Sequence, residues 1–339
     1  MRQAVEADQD EAVTAPWPSL LSRAARRSPL SGHDGRSGAD LERVELENGA
    51  IVVVKTSRPE DDLTATIAGA RPDRELVLWA EGTLDDLPAG VAHCILDARS
   101  TESGIVTVMR DLGHAVVSGQ RSVGRSECDR ILRAAAALHA RHAERPPEVA
   151  CRLEDRLTMF APATVERLAD SGHALPRAVL RGWNAFADLV PAPVVDAVMA
   201  VLDEPAPLAG ALRRTAPSTL LHGDLWLVNL ALEPDQVTLL DWGLATAGPA
   251  VVDFASFLAG NVTRVRATRD QVIADFRSAE AEEVGDAGLR LGLLAGLLEL
   301  GWNKALDSVR FRDPVARAGA RADLDWWVAA ALPALEGDL

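Results

Sequence analysis

Two short stretches, HGDLWLVN (222–229) and LLDWG (239–243), constrain this chain more than any other feature. They fix Asp224, Asn229 and Asp241 in order, at spacings of five and then twelve residues. A short apolar lead, TLL, enters the first stretch, and the apolar run VTLL ends on Asp241. Short apolar runs bounded by turn residues read as buried strands. The chain is therefore expected to fold so that a loop and a strand end turn two carboxylates and an amide toward one cleft.

Phosphoryl transfer from a magnesium nucleotide needs such a set. A carboxylate at Asp224 can orient a substrate hydroxyl and accept its proton, help that is typically worth ~10²–10⁴ in rate. Five residues are enough for a tight loop to turn the amide oxygen of Asn229 back toward the same point. Magnesium takes oxygen ligands and keeps several waters, so Asn229, Asp241 and nucleotide phosphates suffice to hold it. HGD alone reads equally well as an Asx-rich turn; the whole constellation favours chemistry.

The chain has 35 basic residues, and only Lys55 and Lys304 are lysines. Lys55 ends the run IVVVK, so it sits at the end of a buried strand. An ammonium there is a compact point charge suited to phosphates, and in an Arg-biased chain a merely solvated cation would more naturally be Arg. A lysine so placed needs a carboxylate to hold it. Glu75, on the helix expected next, is the first candidate; Glu81, near the end of that helix, is the second. Gly32, Gly35 and Gly38 form a loop that either covers phosphates with backbone amides or is plain surface. Asp253 either accepts backbone hydrogen bonds from the loop around Asp224 or caps the helix that follows. His139 and His142, three apart on a helix, show no acidic or cysteine partners and read as a satisfied core or surface pair. Glu280, Glu282, Glu283 and Asp286 read as a solvated helix face rather than a site for a cationic substrate.

A net charge of −15 argues against nucleic acid or anionic membrane as the main partner. No apolar run approaches bilayer-spanning length, and the N-terminus lacks the apolar middle of a signal peptide. The expectation is a cytoplasmic protein. Cys94, Cys128 and Cys151 are far apart, odd in number and without zinc spacing, so they read as free thiols.

Along the chain, residues 1–29 read as an arm or peripheral helix. Residues 30–112 read as a small β-rich lobe with one helix. DLERVELENGAIVVVKT is a hairpin around Asn48-Gly49, RPDRELVLWAEG a helix, and HCILDARS and GIVTVMRDL two strands around a TESG turn. Residues 113–339 are mostly helical, with a capping box expected at Ser126–Asp129 and two short strands around Glu233-Pro234-Asp235.

HGDLWLVN and DWGLATAGP resemble the HGDxxxxN and D-x₆-G-P patterns of the aminoglycoside phosphotransferase and choline kinase-like family. VVVK and Asp241-Trp242-Gly243 resemble the kinase V-A-I-K and D-F-G. The resemblance covers roughly residues 30 to 300. It implies an α+β, bilobal protein-kinase-like fold: a small antiparallel-sheet lobe with one helix (30–112) and a larger helical lobe (113–339). It implies an ATP- or GTP-dependent, Mg²⁺-requiring kinase acting on a hydroxyl of a small molecule. Asp224 would be catalytic, and Asn229 and Asp241 would hold the metal. Lys55, steadied by Glu75, would grip nucleotide phosphates, and the backbone of Arg110 and Leu112 would bind the nucleobase. His222 and Asp253 would support the loop. Only twelve residues separate Asp241 from Asp253, too few for a protein-kinase activation loop. The acceptor is either an aminoglycoside-like antibiotic or a metabolite such as an amino alcohol or sugar. The alternative is a catalytically silent nucleotide-binding or scaffold protein.

Overall fold

A computed structural model describes residues 17–30, 38–58, 66–67, 71–102, 104–280 and 284–339. The first lobe is built on a five-stranded antiparallel sheet, ordered β1-β2-β3-β5-β4. Its strands are β1 (Ala24–Pro29), β2 (Asp40–Leu46), β3 (Ile51–Ser57), β4 (Ile95–Thr101) and β5 (Gly104–Arg110). The hairpin expected around Asn48-Gly49 forms. Gly49 takes φ +82, which glycine adopts without strain, and the Asn48 side chain accepts the Ala50 N–H at 3.0 Å.

β1 corrects the expectation for residues 1–29. Ala24–Pro29 is the edge strand of the sheet, paired with β2, rather than part of an arm. The sequence AARRSP carries no apolar alternation because most of the strand is exposed; backbone pairing and the Arg27–Glu42 ion pair hold it. Residues 1–16, and Gly32 and Gly35 of the glycine-rich segment, lie outside the described residues.

Period-two alternation on β3 sorts its side chains. Val52 and Val54 join Trp17, Val44, Leu46 and Val108 in a small apolar cluster on one face. Val53 and Lys55 therefore face the other way, toward helix α1 (Arg74–Ala80) and the second lobe. On α1, Leu78 is fully buried in the main core.

The second lobe is helical. Its frame is α2 (Arg125–Arg141), α3 (Leu153–Leu157), α4 (Ala174–Leu189), α5 (Val251–Asn261), α6 (Asp286–Arg310) and α7 (Pro314–Gly337). α6 is buried along most of its length, packed between α4, α5 and α7, so it reads apolar on nearly every face. Prolines divide the helical stretch 151–215 into separate helices: Pro162, Pro191, Pro193, Pro205 and Pro207 sit at helix starts, where a missing N–H costs nothing. The helix start lies before Ser126, and only one half of a capping box forms, because the N-cap Gly124 has no side chain. α2 begins at Arg125, and the Glu127 carboxylate accepts the Gly124 N–H at 2.9 Å. Among the described residues no helix is long and apolar enough to cross a membrane.

A two-stranded ribbon and a three-stranded sheet complete the strands. β6 (Thr219–Leu221) pairs with β9 (Thr246–Gly248), and β8 (Val237–Leu239) pairs with both β7 (Leu230–Leu232) and the short segment Val91–Ala92. The turn joining β7 and β8 is the expected one, closed by Glu233 N–H to Gln236 O at 3.1 Å. The loops after β6 and β8 carry HGDLWLVN and LLDWG.

Candidate active site

The loop after β6 is pinned by buried groups from the surrounding helices. Asp253, in the first turn of α5 and 1% exposed, accepts the N–H of His222 at 2.7 Å and of Gly223 at 2.9 Å. Of the two readings of Asp253, loop support is the one observed. Gly223 has φ +79, and a Cβ there would lie 1.8 Å from the Leu244 carbonyl oxygen, so only glycine fits. Further along, Asn261 at the end of α5 accepts from Leu227 N at 2.9 Å and donates to Leu225 O at 3.1 Å. Nothing in the sequence marked Asn261.

Asp224 leaves this pinned loop half-buried. Asn229 Nδ2 donates to the Asp224 carbonyl at 3.0 Å and to its Oδ2 at 2.8 Å. Five residues thus do return the amide to the same point. With Nδ2 so engaged, Oδ1 is the Asn229 atom suited to a cation. Burial and the charge of Asp241 push the Asp224 carboxyl up to about 7, and the Arg156 charge opposes them. A carboxylate in that range can take a proton near neutral pH.

Asp241 follows β8 with φ +63, a left-handed conformation rare for a residue with a Cβ. Its side chain is 39% exposed, and its Oδ1 lies 3.1 Å from Lys55 Nζ. That ammonium is the main cause holding the Asp241 carboxyl below the ordinary range. Lys55 Nζ also lies 3.5 Å from Glu75 Oε1, and the other oxygen of Glu75 accepts the Trp242 N–H at 3.0 Å. Glu75 is therefore the partner of Lys55, while Glu81 sits exposed at the end of α1. Trp242 is buried against the His222 ring, with centroids 4.8 Å apart. Burial lowers the His222 imidazole below its usual value, so it packs as a neutral ring.

Four more contributors escaped the sequence reading. Arg74, next to Glu75, donates to Gly243 O at 2.6 Å and Val149 O at 2.8 Å, tying α1 to the segment after Asp241. Arg156 and Glu299 form a buried pair at 2.6 Å beside the Asp224 loop. His139 is a satisfied core histidine, but it has the acidic partners that the sequence did not show: it meets Asp253 at 3.3 Å and Glu280 at 3.2 Å, 114 and 141 residues away. Glu280 is accordingly buried against His139 rather than solvated, whereas Asp286 is exposed and pairs with Arg277. Glu282 and Glu283 lie outside the described residues.

Burial works against the charge on His139, but hydrogen bonds to the two carboxylates raise it to about 9. A raised folded value means stability that is fully present below the unfolded value, about 6.5, and lost as pH rises through about 9. Urea midpoints of the parent are therefore expected to fall across that window. The His139→Gln variant should lose that slope, and an unchanged slope would remove His139 as its source.

At the lobe junction, the Arg110 guanidinium makes a two-pronged bond to Glu233, at 2.6 and 3.0 Å, and the Arg110 backbone N–H donates to Cys94 O at 2.8 Å. Leu112 opens a single turn closed by Ala115 N–H at 3.0 Å. The site residues chosen from sequence thus fall into two groups. Lys55, Glu75, Asp241, Asn229, Asp224, His222 and Asp253 form one connected cluster between the lobes. Arg110 and Leu112 lie at the connection.

The donor set fits a hard cation. Asp241 offers a carboxylate and Asn229 an amide oxygen, a pair that would need only nucleotide phosphates and waters to complete magnesium coordination.

No curated protein matches the sequence. Solved structures match over nearly the whole chain. Choline kinase LicA from Streptococcus pneumoniae superposes with a TM-score of 0.53 at 13% identity, covering 96% of this chain and 99% of its own. The microcompartment-associated aminopropanol kinase gives 0.51 at 16%, covering 94% and 97%. A spectinomycin phosphotransferase, solved with ADP and spectinomycin, gives 0.50 at 12%, covering 93% and 94%. At such identities these likenesses establish a protein-kinase-like bilobal fold. The sequence model of the phosphotransferase enzyme family matches residues 35–293, and the chain belongs to that family.

Proposed function

We propose that this phosphotransferase moves the γ-phosphoryl group of a magnesium-bound ATP or GTP to a hydroxyl of a small molecule. One observation carries the reading. Lys55, Glu75, Asp241 and the Trp242 backbone, from segments up to 186 residues apart, meet in one chain of contacts, with the Asp224–Asn229 pair in the adjoining loop.

In this reading Asp224 orients the acceptor hydroxyl and takes its proton as the bond to phosphorus forms. Asn229 Oδ1 and Asp241 hold Mg²⁺, which when bound neutralises phosphate charge. Lys55, steadied by Glu75, grips phosphate oxygens. The Arg110 carbonyl and the Leu112 N–H offer an acceptor and a donor to the nucleobase, since the Arg110 N–H is already taken by Cys94. Such catalysis is mostly positioning and charge neutralisation.

The acceptor is either an aminoglycoside-like antibiotic or a metabolite such as an amino alcohol or sugar. The structural relatives act on both kinds: their names specify spectinomycin, choline and aminopropanol. A coupled ADP- and GDP-release screen against hydroxylated antibiotics, amino alcohols and sugars tests the reading. Acceptor-dependent release supports it; nucleotide binding with neither acceptor-dependent nor basal release would make the chain a silent binding protein.

Asp241→Ala is expected to abolish the magnesium-dependent part of nucleotide binding. Calorimetric titration with and without Mg²⁺ reads this directly. A variant that still gains affinity on adding Mg²⁺, as the parent does, would take Asp241 out of the metal site.

A further inference from the structure

Gly223, the residue before Asp224, is gripped on both sides of its backbone. Asp253 takes its N–H, and the Arg156 guanidinium takes its carbonyl with two nitrogens, Nε at 3.1 Å and Nη2 at 2.9 Å. We propose that Arg156, held by Glu299, is a positioning residue that fixes the peptide leading into Asp224. The inference rests on the phosphotransferase reading, in which Asp224 touches the reacting hydroxyl.

Three observations support it. Arg156 lies on the short helix α3 and is 3% exposed, so its charge needs a buried counterion, which Glu299 on α6 supplies at 2.6 Å. Ser256 on α5 donates to the same Glu299 oxygen at 3.0 Å. Three helices are thus joined through one ion pair whose fork ends on a single backbone carbonyl. Two buried charges are a poor way merely to fill space, because apolar side chains of similar volume are often as stable or more so. The remaining guanidinium nitrogen, Nη1, faces Met159 Sδ at 2.9 Å, a weak acceptor that makes little demand on the group.

Geometry also fixes the route of action. Among the described residues Arg156 makes no hydrogen bond to the Asp224 carboxylate, which is met instead by Asn229. By hydrogen bonds the guanidinium therefore reaches Asp224 through the Gly223–Asp224 peptide, and Arg156→Lys, which keeps the charge, separates this grip from the effect of that charge on the carboxyl. Gly223 cannot compensate by adopting another conformation, since its φ of +79 and its approach to Leu244 are dictated by the loop. A general base works only within hydrogen-bond reach of its proton, and displacement of about 1 Å can cost ~10²-fold in rate.

The test separates holding the loop from holding the fold. Arg156→Met alone leaves Glu299 buried without its cation and should lower the melting temperature. Arg156→Met with Glu299→Met removes both charges and should recover it. MgATP and MgGTP affinities should match the parent in the double variant. Its kcat for nucleotide hydrolysis without an acceptor should stay down by ~10²-fold. Recovery of kcat together with melting temperature would reduce the pair to packing and overturn the proposal.

Arg156→Lys decides the matter if the double variant folds poorly. An ammonium keeps the charge beside Glu299 but not the forked grip on Gly223 O. A folded variant with low kcat supports positioning, and full kcat refutes it. Asp224→Asn, measured in parallel, separates the two levels. If it hydrolyses nucleotide like the parent, the phosphotransferase reading fails and this inference with it. If it is inactive while the double variant turns over normally, only the positioning role fails.

Discussion

Asp224→Asn should abolish turnover while nucleotide binding survives. The substitution is isosteric, and the new amide oxygen can still accept the hydrogen bond that Asn229 Nδ2 gives to Asp224 Oδ2 at 2.8 Å. The loop therefore keeps its anchors at Asp253, Arg156 and Asn261, and the Lys55–Glu75–Asp241 contacts are untouched. The shape and the hydrogen bond are kept, while the basicity and negative charge of the carboxylate are lost. General-base help is typically worth ~10²–10⁴, so kcat should fall by at least the lower figure. Steady-state assays with any acceptor found by the release screen, together with calorimetry for MgATP or MgGTP, read the two effects separately. Equal loss of turnover and nucleotide binding would show that Asp224 supports the nucleotide site rather than the hydroxyl.

What the sequence made legible follows from the range of each signal. The motif residues were visible because chemistry restricts their type and because short apolar strands fix their surroundings. Lys55 stood out because this chain has only two lysines. Arg74 and Arg156 did not, for the complementary reason: in a chain whose cations are nearly all arginine, a buried functional arginine looks like a surface one. The acidic partners of His139 were not visible because they come from segments more than a hundred residues later. Strand β1 was missed because an exposed edge strand needs no apolar alternation, only a neighbour with free backbone groups. Pattern reading sees faces and turns. It does not see which distant helix will supply a buried charge.

Asp253→Ala is the substitution expected to cost most stability. The side chain is 1% exposed and serves three donors: the N–H groups of His222 and Gly223, and the His139 ring. Removing it strands two buried backbone donors, each worth about 1–3 kcal/mol when left unsatisfied, and takes away one of the two carboxylates beside His139. Urea unfolding should show a loss of at least ~3 kcal/mol on that basis. Turnover should fall as well, because His222 and Gly223 lead directly into Asp224. The pH dependence identifies the cause. Burial alone would raise the Asp253 carboxyl, but its bonds to His139 and the loop hold it below the ordinary value. Its stabilisation is therefore present above about pH 4, the ordinary carboxylate value, and is lost as pH falls through the depressed folded value. His139 behaves in the opposite sense, losing its contribution as pH rises from about 6.5 through about 9. The stability gap between parent and Asp253→Ala should be widest between about pH 4 and 6.5 and narrow on both sides. A gap that stays constant from acid to alkaline pH would mean that Asp253 acts only by filling space. A gap that narrows at the acid end alone would mean that its partnership with His139 adds nothing.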